Sequence, residues 1–298
     1  FARYYNNYIH TMAQIKIAAI MRAGAFSPNH IGNDASILSG VAEQLRRRGC
    51  EVNVYSEEQL NAGAVSEPVI INMCREQRSL KMLEQMERDG KTVINSPQGI
   101  ANCIRERQTR IFIGSNIPFP ESVITSTDVV IKGELERRGI DKCWIKRADN
   151  YAMHKEDVSY VRTPDEAQEV LQEYFLRGIT RAVITRHVKG DIVKFYGVLD
   201  SSFFYWYFPY DPDHHQPADP EASAAIESHL RRLCTAAATE LNVMVYGGDA
   251  VIDSTGRITL IDFNDWPSFA PCRAAAATAI AKAVMGRVKP RRGTSRTV

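Results

Sequence analysis

The sequence contains no C-x-x-C pair; its six cysteines, Cys50, Cys74, Cys103, Cys143, Cys234 and Cys272, are dispersed. That excludes the ligand spacing of a structural zinc site and the dense framework of a small disulfide-stapled domain. Several of these cysteines fall inside apolar, strand-like runs, where the side chain behaves as a small buried hydrophobe. A reduced, cytoplasmic setting is the expectation. No apolar run approaches the roughly 18–20 residues that cross a bilayer, so no membrane partner is expected. Neither sign of charge dominates either: 37 Lys and Arg are interspersed with 35 Asp and Glu. A nucleic-acid partner would gather basic residues into a patch or stripe, and none is expected here. The exception, Lys289-Pro290-Arg291-Arg292 and the residues after it, reads as a solvated basic tail over 289–298. Residues 1–14 are polar and aromatic, lack the apolar stretch of a signal peptide, and read as a flexible leader.

What is present is a chain of 298 residues, enough for two or three packed subdomains. Short apolar runs at 15–21, 51–55, 69–73 and 91–94 alternate with helical patterns at 34–48 and 75–88, which predicts a parallel α/β sheet. Asn95-Ser96-Pro97 then opens a further helix, with proline in its first turn and a capping side chain before it. Ile117-Pro118-Phe119-Pro120 is a stiff connector. Beyond it the pattern becomes α+β. Strands are expected at 143–146, 158–161, 182–185, 191–199 and 203–208, with helices at 164–176 and 222–241. Ser254-Thr255-Gly256 joins runs 243–253 and 257–263 as a hairpin, and an alanine-rich helix over 272–288 closes the fold. No internal repeat is visible.

The last hairpin carries the most chemistry. Side chains alternate along a strand, so Asp262 and Asn264 share one face while Ile261 and Phe263 turn to a core. Asp249, in Gly247-Gly248-Asp249 on the partner strand, lies near enough for the three oxygen-bearing side chains to converge. Two carboxylates and an amide suit Mg²⁺, which takes few protein ligands and leaves room for phosphate oxygens. The alternative is a polar face turned to water; the acidic partner across the hairpin and the closing Trp266-Pro267 favour the metal.

Gly248-Asp249, a short turn, and Leu260-Ile261-Asp262-Phe263-Asn264 followed by Pro267 resemble the metal-binding strands of the ATP-grasp superfamily. Three more stretches fit in the family's order. Asn95-Ser96-Pro97 with Gly99-Ile100 and the proline connector resembles the junction into the central subdomain. Trp144-Ile145-Lys146 resembles the strand whose lysine reaches the ATP phosphates. Ala182-Val183-Ile184-Thr185-Arg186-His187-Val188 resembles the adenine hinge, and Asp191-Ile192-Val193-Lys194 the strand with a second cationic phosphate contact. The resemblance spans roughly residues 15–288. It implies an N-terminal parallel α/β subdomain (15–116), then central (117–188) and C-terminal (189–288) α+β subdomains sandwiching ATP.

As cofactors the resemblance implies ATP and Mg²⁺, two ions, with Mn²⁺ as the alternative metal. Asp249, Asp262 and Asn264 become the metal ligands, and Lys146 and Lys194 the catalytic cations that stabilise charge spread over a transferring phosphoryl group. Further nucleotide contacts fall on Lys132, Thr185, Arg186, His187, Val188 and Ile261. The chain also departs from the pattern. Many relatives follow the first strand lysine with a glycine-rich loop, whereas residues 147–155 hold no glycine; His154 or Lys155 would supply donors instead. Thr185 stands where Glu or Gln is usual.

Two reaction classes share this resemblance. Carboxylate–amine ligases of the glutathione synthetase-like kind pass through an acyl phosphate; the inositol polyphosphate kinases of this fold phosphorylate a hydroxyl. The missing glycine loop, the histidine in its place and Ile261-Asp262-x-Asn264 fit the kinases. The aromatic run Phe203-Phe204-Tyr205-Trp206-Tyr207-Phe208, where a polyphosphate would call for clustered basic residues, favours the ligase. A third reading is a catalytically inactive nucleotide-binding module. Small-molecule substrates are the expected partners, and a homodimer is left open because many relatives pair. Arg22, His30 and Arg75 follow predicted strands at the carboxyl ends where α/β sheets bind ligands, and are candidate substrate contacts. Asp211, His214 and His215 read as an exposed loop or a binding edge, and Asp265 as a third acidic contact or a turn residue.

Overall fold

The computed structural model describes residues 14–26, 31–148, 155–210 and 219–288. Three four-stranded sheets order the chain. β1 (Lys16–Ile20), α1 (Ile31–Arg46), β2 (Glu51–Tyr55), α2 (Glu57–Asn61), β3 (Val69–Asn72), α3 (Gln77–Arg88) and β4 (Thr92–Ile94) build the first. Its order is β2-β1-β3-β4 and every pairing is parallel. β3 is buried at all four residues, as expected for a parallel strand covered on both faces.

Two helices link this sheet to the rest. α4 (Pro97–Asn102) starts where Ser96 accepts a hydrogen bond from Gly99 N–H and proline fills the first turn. α5 (Arg105–Ile113) follows at once. The second sheet holds β5 (Ser122–Ser126), β6 (Cys143–Arg147), β7 (Val158–Val161) and β8 (Arg181–Arg186), in the antiparallel order β5-β8-β6-β7. α6 (Lys132–Arg137) and α7 (Pro164–Leu176) cover one face, burying Ile131, Leu135, Leu171 and Tyr174 against Ile145 and Ile184. By strand alternation Trp144, Lys146, Val183 and Thr185 face the other way.

β9 (Asp191–Val198), β10 (Phe204–Tyr207), β11 (Val245–Ile252) and β12 (Ile258–Asp265) form the third sheet, in the antiparallel order β10-β9-β11-β12. α8 (Pro220–Leu241) packs on one face through Leu230, Cys234, Ala237 and Leu241. It is capped by Asp219 and ended by Asn242 at φ 57°. α9 (Arg273–Val288) returns to the first sheet. Its Ala277 and Ile280 share a core with Ile37 and Val41 of α1, and with Tyr196, Val198 and Val245 of the third sheet. One apolar core thus fastens the first and third sheets together, and buried Asn95 reinforces it by bonding Val245 O and the N–H groups of Met244 and Val245.

The parallel-then-α+β order agrees with the sequence expectation, but four elements escape it: α2, α5, β5 and α6. α5 is missed for a physical reason. Its buried face carries Gln108 and Thr109, with Phe112 the one fully buried apolar side chain, so its periodicity is hidden. α6 begins at Lys132, directly after the apolar run Val129-Val130-Ile131. Among the described residues no helix is long and apolar enough to cross a membrane.

Candidate active site

The third sheet lines up four side chains across four strands. In register, Tyr207 of β10 lies opposite Lys194 of β9, Lys194 opposite Asp249 of β11, and Asp249 opposite Asp262 of β12. A β-bulge places the last of these. Asp249 pairs with Asp262 but Ala250 pairs with Leu260, leaving Ile261 as the extra residue. Ile258 and Leu260 belong to the core under α8, and so does Phe263. Strict alternation would send residue 262 to that core with 258 and 260; the extra residue shifts the phase and turns Asp262 to the open face. Ile261 is therefore half-buried and lies in no core cluster, contrary to its expected inward orientation. Its function here is its carbonyl, which accepts a hydrogen bond from Lys146 Nζ at 3.1 Å.

The Gly247-Gly248 pair is required by this geometry. A Cβ on Gly248 would run into the Asp262 carbonyl oxygen and come within 2.7 Å of Phe195 Cζ. Gly248→Ala should accordingly cost about 1–3 kcal/mol, the usual range for overpacking, and disturb Asp262 as well. Urea unfolding measures the first effect, and a loss of activity larger than the change in folded fraction reports the second.

Contacts from the other layers converge on the same face. Lys194 Nζ meets Asp249 Oδ1 at 2.7 Å. Asn264 Nδ2 donates to Asp262 Oδ2 at 3.0 Å. Arg105, the first residue of α5, reaches Asp262 Oδ1 at 3.2 Å. β12 is an edge strand, and its outward groups are covered: Lys146 takes the carbonyl of Ile261, Gln108 that of Phe263, and Pro118 O the N–H of Leu260. Asp249 and Asp262 each keep 24% of the side chain exposed, so the row opens to a ligand.

Electrostatics follow from this packing. Burial pushes the Lys146 ammonium down, Arg105 adds to the effect, and the two carboxylates offset it only partly, leaving a value of about 8. Burial works against the Asp262 carboxylate, yet Arg105, Lys146, the Asn264 amide and Lys194 outweigh it and hold it at about 2. Burial raises Asp249, helped by Asp262 and opposed by Lys194. Lys194 is raised because Asp249 outweighs its desolvation. The face thus alternates fixed cations with carboxylates. Two carboxylates and one amide are hard oxygen donors too few to enclose a cation, and among the described residues no cluster of three His, Cys, Asp or Glu exists. That donor set fits Mg²⁺ whose remaining positions go to phosphate oxygens or water.

The other candidate residues are placed as follows. Thr185 is buried on β8 and accepts from Ser122 Oγ at 3.3 Å. His187 Nδ1 accepts from Trp144 Nε1 at 3.2 Å, and Tyr160 packs on both rings. Val188 is half-buried in the connection to β9. Lys132 and Arg186 are not brought to this face. Lys132 lies on the helix-covered side of the second sheet and pairs with Asp165 at 2.6 Å; Arg186 is clamped by Glu121 and the carbonyls of Arg138 and Gly139. Arg22 and Arg75 enter a buried ionic network: Arg22 pairs with Asp34 at 3.0 Å and Arg75 with Asp265 at 3.2 Å. Asp265 is fully buried, neither an open acidic contact nor a turn residue. His30, His154, Asp211, His214 and His215 lie outside the described residues. Lys155 opens a short 3-10 turn, and its side chain also lies outside them. Sequence reasoning missed Arg105 altogether, although a cation at the start of a helix beside the metal strand is unusual; its signal lay inside a helix that the pattern did not reveal.

Neither a family model nor a curated protein matches the sequence. Solved structures do. D-alanine–D-alanine ligase from Bacillus anthracis complexed with ATP superposes with a TM-score of 0.65 at 13% identity, over 92% of this chain and 99% of that one. D-alanyl-alanine synthetase A from Vibrio cholerae gives 0.66 at 12%, over 92% and 98%. The ATP-grasp ligase PsnB complexed with minimal precursor gives 0.62 at 16%, over 91% and 99%. This chain has the ATP-grasp fold. Lys146 of the second sheet and Arg105 of α5 meet the row Lys194–Asp249–Asp262 of the third sheet at its edge strand β12.

Proposed function

We propose that this ATP-grasp protein is an ATP-dependent ligase that activates a small-molecule carboxylate as an acyl phosphate and passes the acyl group to an amine. The observation that carries the reading is the convergence of Lys146, Lys194 and Arg105 on Asp249 and Asp262. Three fixed cations gathered around two carboxylates are arranged for a polyanion that arrives with its own divalent metal. The similar structures named above are ligases, which favours acyl transfer over phosphorylation of a hydroxyl.

Asp249, Asp262 and Asn264 would hold Mg²⁺, whose contribution when bound is to neutralise charge on the phosphate oxygens. Lys194 and Arg105, which occupy the carboxylates in the free protein, would turn to the phosphates once the metal takes those oxygens. Lys146 would hold phosphate oxygens while its neighbour β12 fixes its position through the Ile261 carbonyl. The substrate carboxylate oxygen attacks the γ-phosphorus, ADP leaves, the amine then displaces phosphate from the acyl carbon, and one proton is released from the amine. Preorganised cations lower the barrier because they meet charge that develops in the transition state at no reorganisation cost.

Lys146 sets a pH dependence. Its folded value of about 8 lies below the ordinary lysine value, so the ammonium that a phosphate needs is present below pH 8 and is lost as pH rises through it. ATP affinity, measured from pH 6.5 to 9.5, should therefore weaken above about pH 8. Lys146→Arg should abolish that limb, since a guanidinium stays charged. Arg105→Gln should move it to higher pH, because the Arg105 charge is one of the forces holding Lys146 down. The reaction itself is tested by trapping: with Mg-ATP, a pool of carboxylic acids and hydroxylamine, hydroxamate should form in step with ADP and free phosphate. A stable phosphate ester with no hydroxamate would instead make the protein a kinase.

A further inference from the structure

A second concavity, of about 520 Å³, opens between α3 and the corner where α4 meets α5. Leu80, Lys81 and Glu84 recur at helical spacing on α3, with Gln77 before them, so one face of that helix lines it. Phe26, Leu80 and Ile104 supply apolar surface. Two of the charged side chains around it are already engaged: Arg75 with Asp265 at 3.2 Å, and Glu76 with the Asn61 amide at 3.1 Å. Three are not. Among the described residues, Lys81, Glu84 and Arg107 make no ion pair. Two of its lining positions connect to β12. Ile104 immediately precedes Arg105, which reaches Asp262, and Arg75 reaches Asp265 on the same strand.

Two unengaged cations and one unengaged carboxylate around an apolar floor are the complement of a short aliphatic molecule with two carboxylates and one ammonium. We propose that this cavity binds an acidic amino acid, with Lys81 and Arg107 taking the carboxylates and Glu84 the ammonium. On the ligase reading, on which this part of the inference rests, that amino acid is one of the two molecules joined. A neutral amino acid would leave one cation unmatched, and a simple diacid would leave Glu84 without an ammonium.

The test is calorimetric titration of the full chain, without nucleotide, with L-glutamate, L-aspartate, glutarate and L-norvaline. At least one acidic amino acid should bind, with glutarate and norvaline about tenfold weaker or worse. Lys81→Met and Arg107→Gln should each weaken its binding about tenfold, while norvaline, with one carboxylate, should lose affinity in only one of the two. Both side chains are exposed, so folding is not at stake. The proposal is overturned if neither acidic amino acid binds, if norvaline binds as tightly, or if both variants bind like the parent. Binding that depends on Lys81 and Arg107 in a protein that forms no ADP supports the site and removes the ligase reading instead. ADP formation with other acids, and no binding here, does the reverse.

Discussion

Asp262→Asn is expected to lower ADP formation by about 10²–10³-fold, the scale on which removing one preorganised electrostatic group acts. The substitution keeps the shape of the side chain and its place on the bulge, but removes the charge that the row Lys194–Asp249–Asp262 presents. It also leaves Arg105 facing an amide rather than a carboxylate at 3.2 Å. Steady-state assay at saturating Mg-ATP and again at limiting Mg²⁺ separates two contributions. Loss of a metal ligand should show as a raised requirement for Mg²⁺, whereas a change confined to Arg105 should not. An activity within about threefold of the parent would be incompatible with Asp262 as a ligand.

Asp265→Ala is expected to reduce stability by about 3–5 kcal/mol, the cost of breaking a buried ion pair and leaving its partner charge behind. Asp265 is fully buried, with Arg75 at 3.2 Å and Arg22 at 3.8 Å. Arg22 also pairs with Asp34 and donates to the carbonyls of Met73 and Trp266. The network therefore ties the ends of β1 and β3 to the end of β12, and its loss should loosen the joint between the first and third sheets. Urea unfolding followed by tryptophan fluorescence measures it, since Trp266 adjoins Asp265. Asp265→Asn, which retains hydrogen-bonding capacity, should cost less. A change below about 1 kcal/mol for Asp265→Ala would mean that these guanidinium groups are balanced without it.

How much of this was legible follows the kind of signal each element left. The parallel strands at 16–20 and 69–72 could be read because burial on both faces leaves continuous apolar runs; the edge strand at 51–55 is mostly exposed and shows only as a short mixed run between helical patterns. The final hairpin was readable from its turn and its alternating residues. The bulge at Ile261 was not, because one extra residue in a ladder leaves no mark on composition; it appears only when the register is known. Arg105 was hidden for a related reason. α5 buries Gln108 and Thr109 and spends its polar side chains on β12, so it lacks the apolar stripe by which a helix is recognised. Asp265 stands beside Asn264 in a polar sequence, yet three-dimensional pairing with Arg22 and Arg75, 243 and 190 positions earlier (265 − 22 and 265 − 75), buries it completely. Lys132, an expected nucleotide contact, follows an apolar run in which Val130 is 83% exposed, and a helix begins at the lysine.

The central claim is that the cations and carboxylates around β12 serve ATP-driven activation of a carboxylate. Its most direct measurement is a time course of ³¹P resonances with Mg-ATP and a fractionated metabolite extract. Free phosphate should rise in step with ADP, only when a carboxylate and an amine are both present, and neither signal should appear with Asp262→Asn. A new phosphate-ester resonance that grows with ADP while free phosphate stays flat would contradict that claim.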